Sequence, residues 1–463
     1  MTRSGSNELS SPPELLPTYS AVGAFVLWAA CGLVQSIVVA RFLGPAVLGV
    51  TAVAMGLYGT LAGFVLADFK EVGAREYYSP RAPEAFSREA YRSAIIRAGV
   101  GVAALQAMIA CSLVLPIVYY ALPMFTSSRI ELRWLVAQGF ALWALRTIDT
   151  LFFFVRLSRL HTAIAFSYVA TSATSLSVFL LLFWRAPSLG GYFTSLAVSS
   201  MVALIVLSAC VVAVFRREGI DVLKRAALPP ALRVYASHWR FVLLRSSINY
   251  AKILHRQADV LVVAFFASDE VVGLYRFARS TAGRFSIVST AVNSVFFPSF
   301  LEMLRSKSYD LYRRTVRRFQ LAAIALVASA MGIALLLLDP LIVGVVGEAY
   351  LGAKYAIVLF LLPLLYLVGI HLWTWPVFVA DGRIGRLTAL HWVALAVQYA
   401  VTVVGLWALT PTPAIAAVGL LSNYPIRAIG TLALVREIRP EVIPWRGRRV
   451  RVANDDGVEA PRR

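Results

Sequence analysis

Long apolar runs alternate with short polar breaks from residue 19 to residue 435. Twelve runs lie near 19–42, 46–67, 93–120, 132–155, 160–184, 189–214, 238–266, 270–297, 318–346, 354–379, 385–409 and 412–435. Each is long enough to cross a bilayer as a helix. Pro and Gly punctuate the turns at Gly44-Pro45, Pro123, Pro187, Pro411 and Pro413. The pattern predicts an all-α integral membrane protein with 12 transmembrane helices.

Composition agrees. The 463 residues are 59% hydrophobic and 15% charged, with a mean hydropathy of +0.73. A soluble chain does not look like this. The net charge of +20 would suggest nucleic acid in a soluble protein. Here its distribution speaks for topology. With the N-terminus inside, 31 of the 44 Lys and Arg fall on the cytoplasmic side, 5 on the outer side and 8 within spans. Both termini are thus expected in the cytoplasm. The basic loops face anionic head groups, so membrane lipids are the expected partners and nucleic acid is not. The first 18 residues read as a cytoplasmic tail, not a cleaved signal peptide. Cys31, Cys111 and Cys210 sit in separate runs without disulfide or metal spacing. No Walker loop, Ser/His/Asp set or ligand cluster appears, so neither enzyme chemistry nor a cofactor is expected.

The exceptional stretch is Ser237 to Phe300. Arg245, Lys252, Arg256, Arg276, Arg279 and Arg284 lie inside its two apolar runs. Six such cations facing lipid would cost about 15–20 kcal/mol. They are therefore candidate contacts to an anionic substrate. Arg245, Lys252 and Arg256 share one helix face within about 40°. Asp259, three residues on, is a candidate partner of Arg256. Arg256 and Arg279 are expected deepest, with Lys252 and Arg284 widening the field. Arg245 and Arg276, near helix ends, are expected to snorkel or to bind. Arg427, two residues after Pro425, is a further candidate.

The chain repeats itself at an offset of 224 residues: ARFLGPAVLGV (40–50) aligns with AFFASDEVVGL (264–274). This predicts two six-helix lobes in the same orientation, 19–215 and 238–435. A basic linker, 216–237, joins them, and tails occupy 1–18 and 436–463. The lobes differ chemically. Where the second has Lys252, Arg256, Arg279 and Arg284, the first has Trp28, Gly32, Met55 and Thr60.

LGPAVLGV followed by a helix ending in ADF (67–69) and KEVGAREY (70–77) resembles the start of bacterial polysaccharide, or O-antigen, flippases. Residues 256–300 are similar to their seventh and eighth helices, and VVGEAYLGAKYAIVLFLLPLLYLVG (345–369) to their ninth-to-tenth junction. These flippases are part of the multidrug/oligosaccharidyl-lipid/polysaccharide (MOP) superfamily. The resemblance implies two six-helix bundles around a central cavity in the bacterial inner membrane. It implies alternating-access export of an oligosaccharide linked to an undecaprenyl-pyrophosphate type of lipid. The oligomeric state stays open and is compatible with a monomer. A multidrug or cation exporter of the same superfamily is the alternative, though acidic cavity residues would then be expected. A membrane polysaccharide polymerase or ligase is the third reading, but it would call for a large outer loop.

Overall fold

The computed structural model describes residues 15–65, 88–128, 130–157, 161–217, 219–220, 239–381 and 384–444. The KEVGAREY stretch and most of the linker and both tails lie outside them, as do the side chains of Arg245 and Arg256.

The described residues are helical almost throughout, and twelve crossings can be followed. Helix α1, Leu15–Val65, supplies two of them. It folds back at Gly44, whose φ of 73° suits glycine, and Pro45 opens the second arm with no donor to satisfy. Four single helices complete the first lobe: α2 (Arg88–Ala121), α3 (Leu132–Leu157), α4 (His161–Arg185) and α5 (Leu189–Arg217). The seventh crossing is composite. Helix α6 (Trp239–Ile253) widens into a π-helical turn at Leu254–Ala258 and continues as α7 (Asp259–Phe266). Helices α8 (Asp269–Arg305) and α9 (Tyr309–Val345) follow. The tenth crossing is again broken: α10 (Lys354–Leu361), α11 (Pro363–Tyr366), a second π turn at Leu367–His371, and α12 (Leu372–Ala380). Helix α13 (Ile384–Ala408) and the pair α14 (Pro413–Leu421) and α15 (Asn423–Ile438) end the bundle.

The repeat is visible as a contact. A Cβ on Gly49 would strike the carbonyl of Asp269, and one on Gly273 would strike the carbonyl of Pro45. Gly49 corresponds to Gly273, and Pro45 to Asp269, at the offset of 224. The two contacts are copies related by the pseudo-two-fold axis, and only glycine permits so close a crossing. The turns themselves differ. Gly44 in the first lobe is replaced by a break at Ala267, whose backbone is extended, and Ser268.

Burial follows the same plan. One large core joins both lobes on the outer side, through Val39, Val53, Val118, Phe193, Val263, Tyr275, Tyr350 and Leu420 among others. On the basic, cytoplasmic side each lobe has a core of its own. Phe154, Tyr168, Leu207 and Phe215 belong to the first, and Phe300, Tyr312, Trp373 and Phe378 to the second. Polar links reinforce the outer seam. Ser127 Oγ donates to Asp269 Oδ2 at 2.6 Å. Arg41 donates to the carbonyls of Gly344 and Val345 at 3.1 and 2.9 Å. Tyr350 donates to the carbonyl of Ala40 at 3.0 Å. At the cytoplasmic end Arg439 grips both oxygens of Asp381, at 2.8 and 2.9 Å from Nε. The lobes are thus closed against each other outside and separately packed inside.

Candidate functional site

Between the lobes lies a cavity of about 340 Å³. The first arm of α1 contributes Trp28, Cys31, Gly32, Gln35 and Ser36, and the second arm Thr51 and Met55. Ser172 and Ser175 come from α4, Tyr192 and Ser200 from α5. The second lobe faces them with α8, through Arg276, Ser280 and Arg284. These three stand four residues apart, so they form one slanted stripe along the helix. Ser36 and Ser280 meet across the lobes at 3.4 Å. The guanidinium of Arg284 lies where a Cβ of residue 32 would be, so Gly32 makes room for it.

Neither Arg276 nor Arg284 has a carboxylate within ion-pair distance among the described residues. Tyr192 lies beside both. The site therefore offers two guanidinium forks, a row of hydroxyls, one amide and an indole. That set suits an anion carrying a polyhydroxyl group: planar forks bind phosphate oxygens, and hydroxyls and amides bind sugar.

The seven expected cations separate into groups. Arg276 and Arg284 line the cavity. Arg279, three residues from Arg276, points the other way, into the second lobe. It is ion-paired with Asp259 and donates to the carbonyl of His255 at 2.6 Å. Tyr275 also donates to Asp259. Asp259 thus pairs with Arg279; its expected pairing with Arg256 falls on a side chain outside the described residues. The pair with Arg279 follows from the hairpin at Ala267–Ser268, which brings the second helix back level with the first. Lys252 sits 5.8 Å from the ring of Trp375. Arg427 contacts His391 Nε2 at 2.8 Å and stands over the rings of Tyr366 and Tyr424 at 5.3 and 5.9 Å. These two also belong to the interior of the second lobe. The side chains of Arg245 and Arg256 lie outside the described residues.

Along the single helix Arg279 stands deeper than Arg276, but depth along one helix does not say which way a side chain points. The four-residue spacing of Arg276, Ser280 and Arg284 was the available signal for the cavity stripe. Three first-lobe equivalents of second-lobe cations, Trp28, Gly32 and Met55, also line the cavity. One wall is thus cationic and the other neutral.

No family model and no curated protein matches the sequence. Solved structures match in fold. The multidrug transporter DinF-BH superposes with a TM-score of 0.66 at 12% identity, over 96% of this chain and 99% of that one. The lipid II flippase MurJ, in an inward closed conformation, gives 0.62 at 11% identity, over 91% and 88%. An inward-facing MATE family transporter of the MOP superfamily gives 0.61 at 12% identity, over 94% and 97%. All three are transporters or flippases. This chain is a multi-pass, all-α membrane protein with the fold shared by MATE transporters and the MurJ flippase.

Proposed function

We propose that the chain is a flippase of the bacterial inner membrane. It moves an isoprenoid-pyrophosphate-linked oligosaccharide outward by alternating access, for polysaccharide export. The observation that carries this reading is the unneutralised pair Arg276 and Arg284 on the wall of an interlobe cavity rich in hydroxyls. The pyrophosphate takes the two forks, in bidentate hydrogen bonds that a lysine cannot copy. The first sugars lie against Gln35, Ser36, Ser172 and Ser175, with Trp28 available to stack. A cavity of about 340 Å³ takes a head group, while the isoprenoid chain stays in the bilayer. With the outer seam closed and the cytoplasmic cores separate, the molecule stands ready to load from inside.

A cation exporter is the weaker reading, because two guanidiniums facing the cavity repel its cargo. A polymerase or ligase is weaker still. The described outer connections, such as 186–188, 267–268 and 409–412, are too short to hold donor and acceptor.

The test is glycan export in cells carrying single variants at normal membrane levels. Arg276→Ala and Arg284→Ala each abolish export, and Arg→Lys at either position restores it only in part. Normal export by both alanine variants would refute the anion site.

A further inference from the structure

The first lobe reaches across the outer seam to cap a helix of the second. The last carbonyls of a helix have no partner within it, and they carry its partial negative charge. At the end of α9 the N–H groups of Val346 and Gly347 both return to the carbonyl of Ile342. Gly347, with a φ of 108°, then turns the chain away. The carbonyls of Gly344 and Val345 are met by Arg41 Nη1, at 3.1 and 2.9 Å. The cap of α9 is therefore a side chain of α1, and it is lost if the outer halves part.

The charge of this link differs from that of its neighbours. Ser127 donates to the carboxylate of Asp269, and Tyr350 to the carbonyl of Ala40. Arg41 instead brings a full positive charge to two neutral acceptors. Among the described residues it has no carboxylate within ion-pair distance, and it is exposed. A guanidinium so placed has a better acceptor in phosphate than in a carbonyl, because hydrogen bonds between two charged groups are stronger and can be bidentate.

The register of the cavity brings an anion to this level. The guanidinium of Arg284 lies beside Gly32, and Ser280 meets Ser36. The first arm of α1 and α8 run in opposite directions, so four residues forward on one match four back on the other. The same step sets Arg276 level with Ala40, the neighbour of Arg41. Val39, one residue further in, lines the cavity. An anion that passes from Arg284 to Arg276 thus arrives beside the link that holds the seam.

We propose that Arg41 is a substrate-released latch. It holds the outer seam shut on the carbonyls of Gly344 and Val345, and it lets go when a pyrophosphate at Arg276 takes its guanidinium. The latch rests on the reading of the cavity as a site for a lipid pyrophosphate. It makes Arg41 a third fork on the way out, and it keeps the outer side closed when there is no cargo.

The test is the width of the outer seam, read as distances between two spin labels on the full chain in lipid nanodiscs. The labels sit on Ser128→Cys in the first lobe and Tyr355→Cys in the second, both exposed positions, with Cys31, Cys111 and Cys210 replaced by alanine. The probe is farnesyl pyrophosphate, and farnesol is its uncharged control. The parent is expected to hold one short distance. The pyrophosphate should raise a longer-distance population several-fold, and farnesol should not. Arg41→Ala should show the longer population before any probe is added and respond little to it. Arg41→Lys, a point charge in place of a fork, should lie between the two. A parent-like resting distance in folded Arg41→Ala, or an undiminished response to the probe, would overturn the latch. If the alanine variant does not fold, a lysine variant identical to the parent would overturn it equally. Calorimetry of probe binding separates the two readings. Binding that needs Arg276 and Arg284 but opens no seam would sink the latch and leave the anion site standing. A parent that binds no probe would sink both.

Discussion

At the scale of the residue, the second lobe assigns opposite duties to neighbouring arginines. Arg279 is 13% exposed on its side chain and Asp259 2%, and each needs the other. Removing one member of such a buried pair costs about 3–5 kcal/mol, because the other is stranded. Arg279→Ala is therefore expected to lower membrane abundance and the Tm of the purified protein. Arg279→Leu with Asp259→Leu should recover most of that loss, since apolar replacements remove both desolvation costs. Arg276→Ala should leave the Tm nearly unchanged, because no carboxylate is stranded. A Tm loss at Arg276 as large as at Arg279 would contradict the division of roles. The identities of these cations were legible in the sequence, and so was their cost in lipid. Their directions were not. Asp259 and Tyr275 are equally spaced about Ala267, and only the folded hairpin shows that this symmetry places Asp259 within reach of Arg279 as well.

At the scale of the element, legibility was greater. Length and apolar composition mark eight helices among the described residues as able to span. The first of these folds back at Gly44 and crosses twice. The crossings left out, α3, α6–α7 and α8, each carry internal charge, as α15 also does at Arg427. Twelve runs read from the sequence thus match twelve crossings. The breaks within crossings were harder to foresee. Nothing in LHRQA announces a π turn, and in the fold the turn packs against α1 and bonds to Gln398 and Tyr399 of α13. The repeat yields a sharp expectation. Gly49→Ala and Gly273→Ala each force a side chain against a backbone carbonyl that cannot swing aside. Each should cost on the order of 1–3 kcal/mol. The double variant should cost less than the sum, since both changes open one joint. Thermal unfolding of the three variants measures this, and strict additivity would mean that the two crossings are independent. Gly32→Ala offers a contrast. Its obstacle is the end of the flexible Arg284 side chain, so it should fold normally yet impair export.

At the scale of the whole molecule, closure is concentrated at one end. The outer halves share a core and polar links, whereas the cytoplasmic halves have a core each. If the lobes rock, the link between Ser127 and Asp269 must open in every cycle. An oxidised Ser127→Cys, Asp269→Cys pair should hold the outer side shut and stop export, and reductant should restore it. Export at the full rate through the oxidised protein would rule out rocking about this seam. The two-lobe plan and its parallel repeat could be read from the offset of 224 residues. Which face was closed could not, because a repeat fixes an axis and not an angle about it.

The cationic wall has an electrical consequence. Arg276 and Arg284 ride on α8, and among the described residues the equivalent wall of α1 brings no balancing carboxylate to the cavity. When the empty cavity changes sides, charge on one wall crosses part of the bilayer field with nothing opposite to cancel it. A full elementary charge crossing 100 mV exchanges about 2.3 kcal/mol with that field. The unloaded protein should therefore behave as a small voltage-driven capacitor. On a solid-supported membrane, a voltage step should evoke a transient current that decays without steady flow. Binding of a pyrophosphate should shrink the transient, and Arg276→Ala with Arg284→Ala should remove most of it.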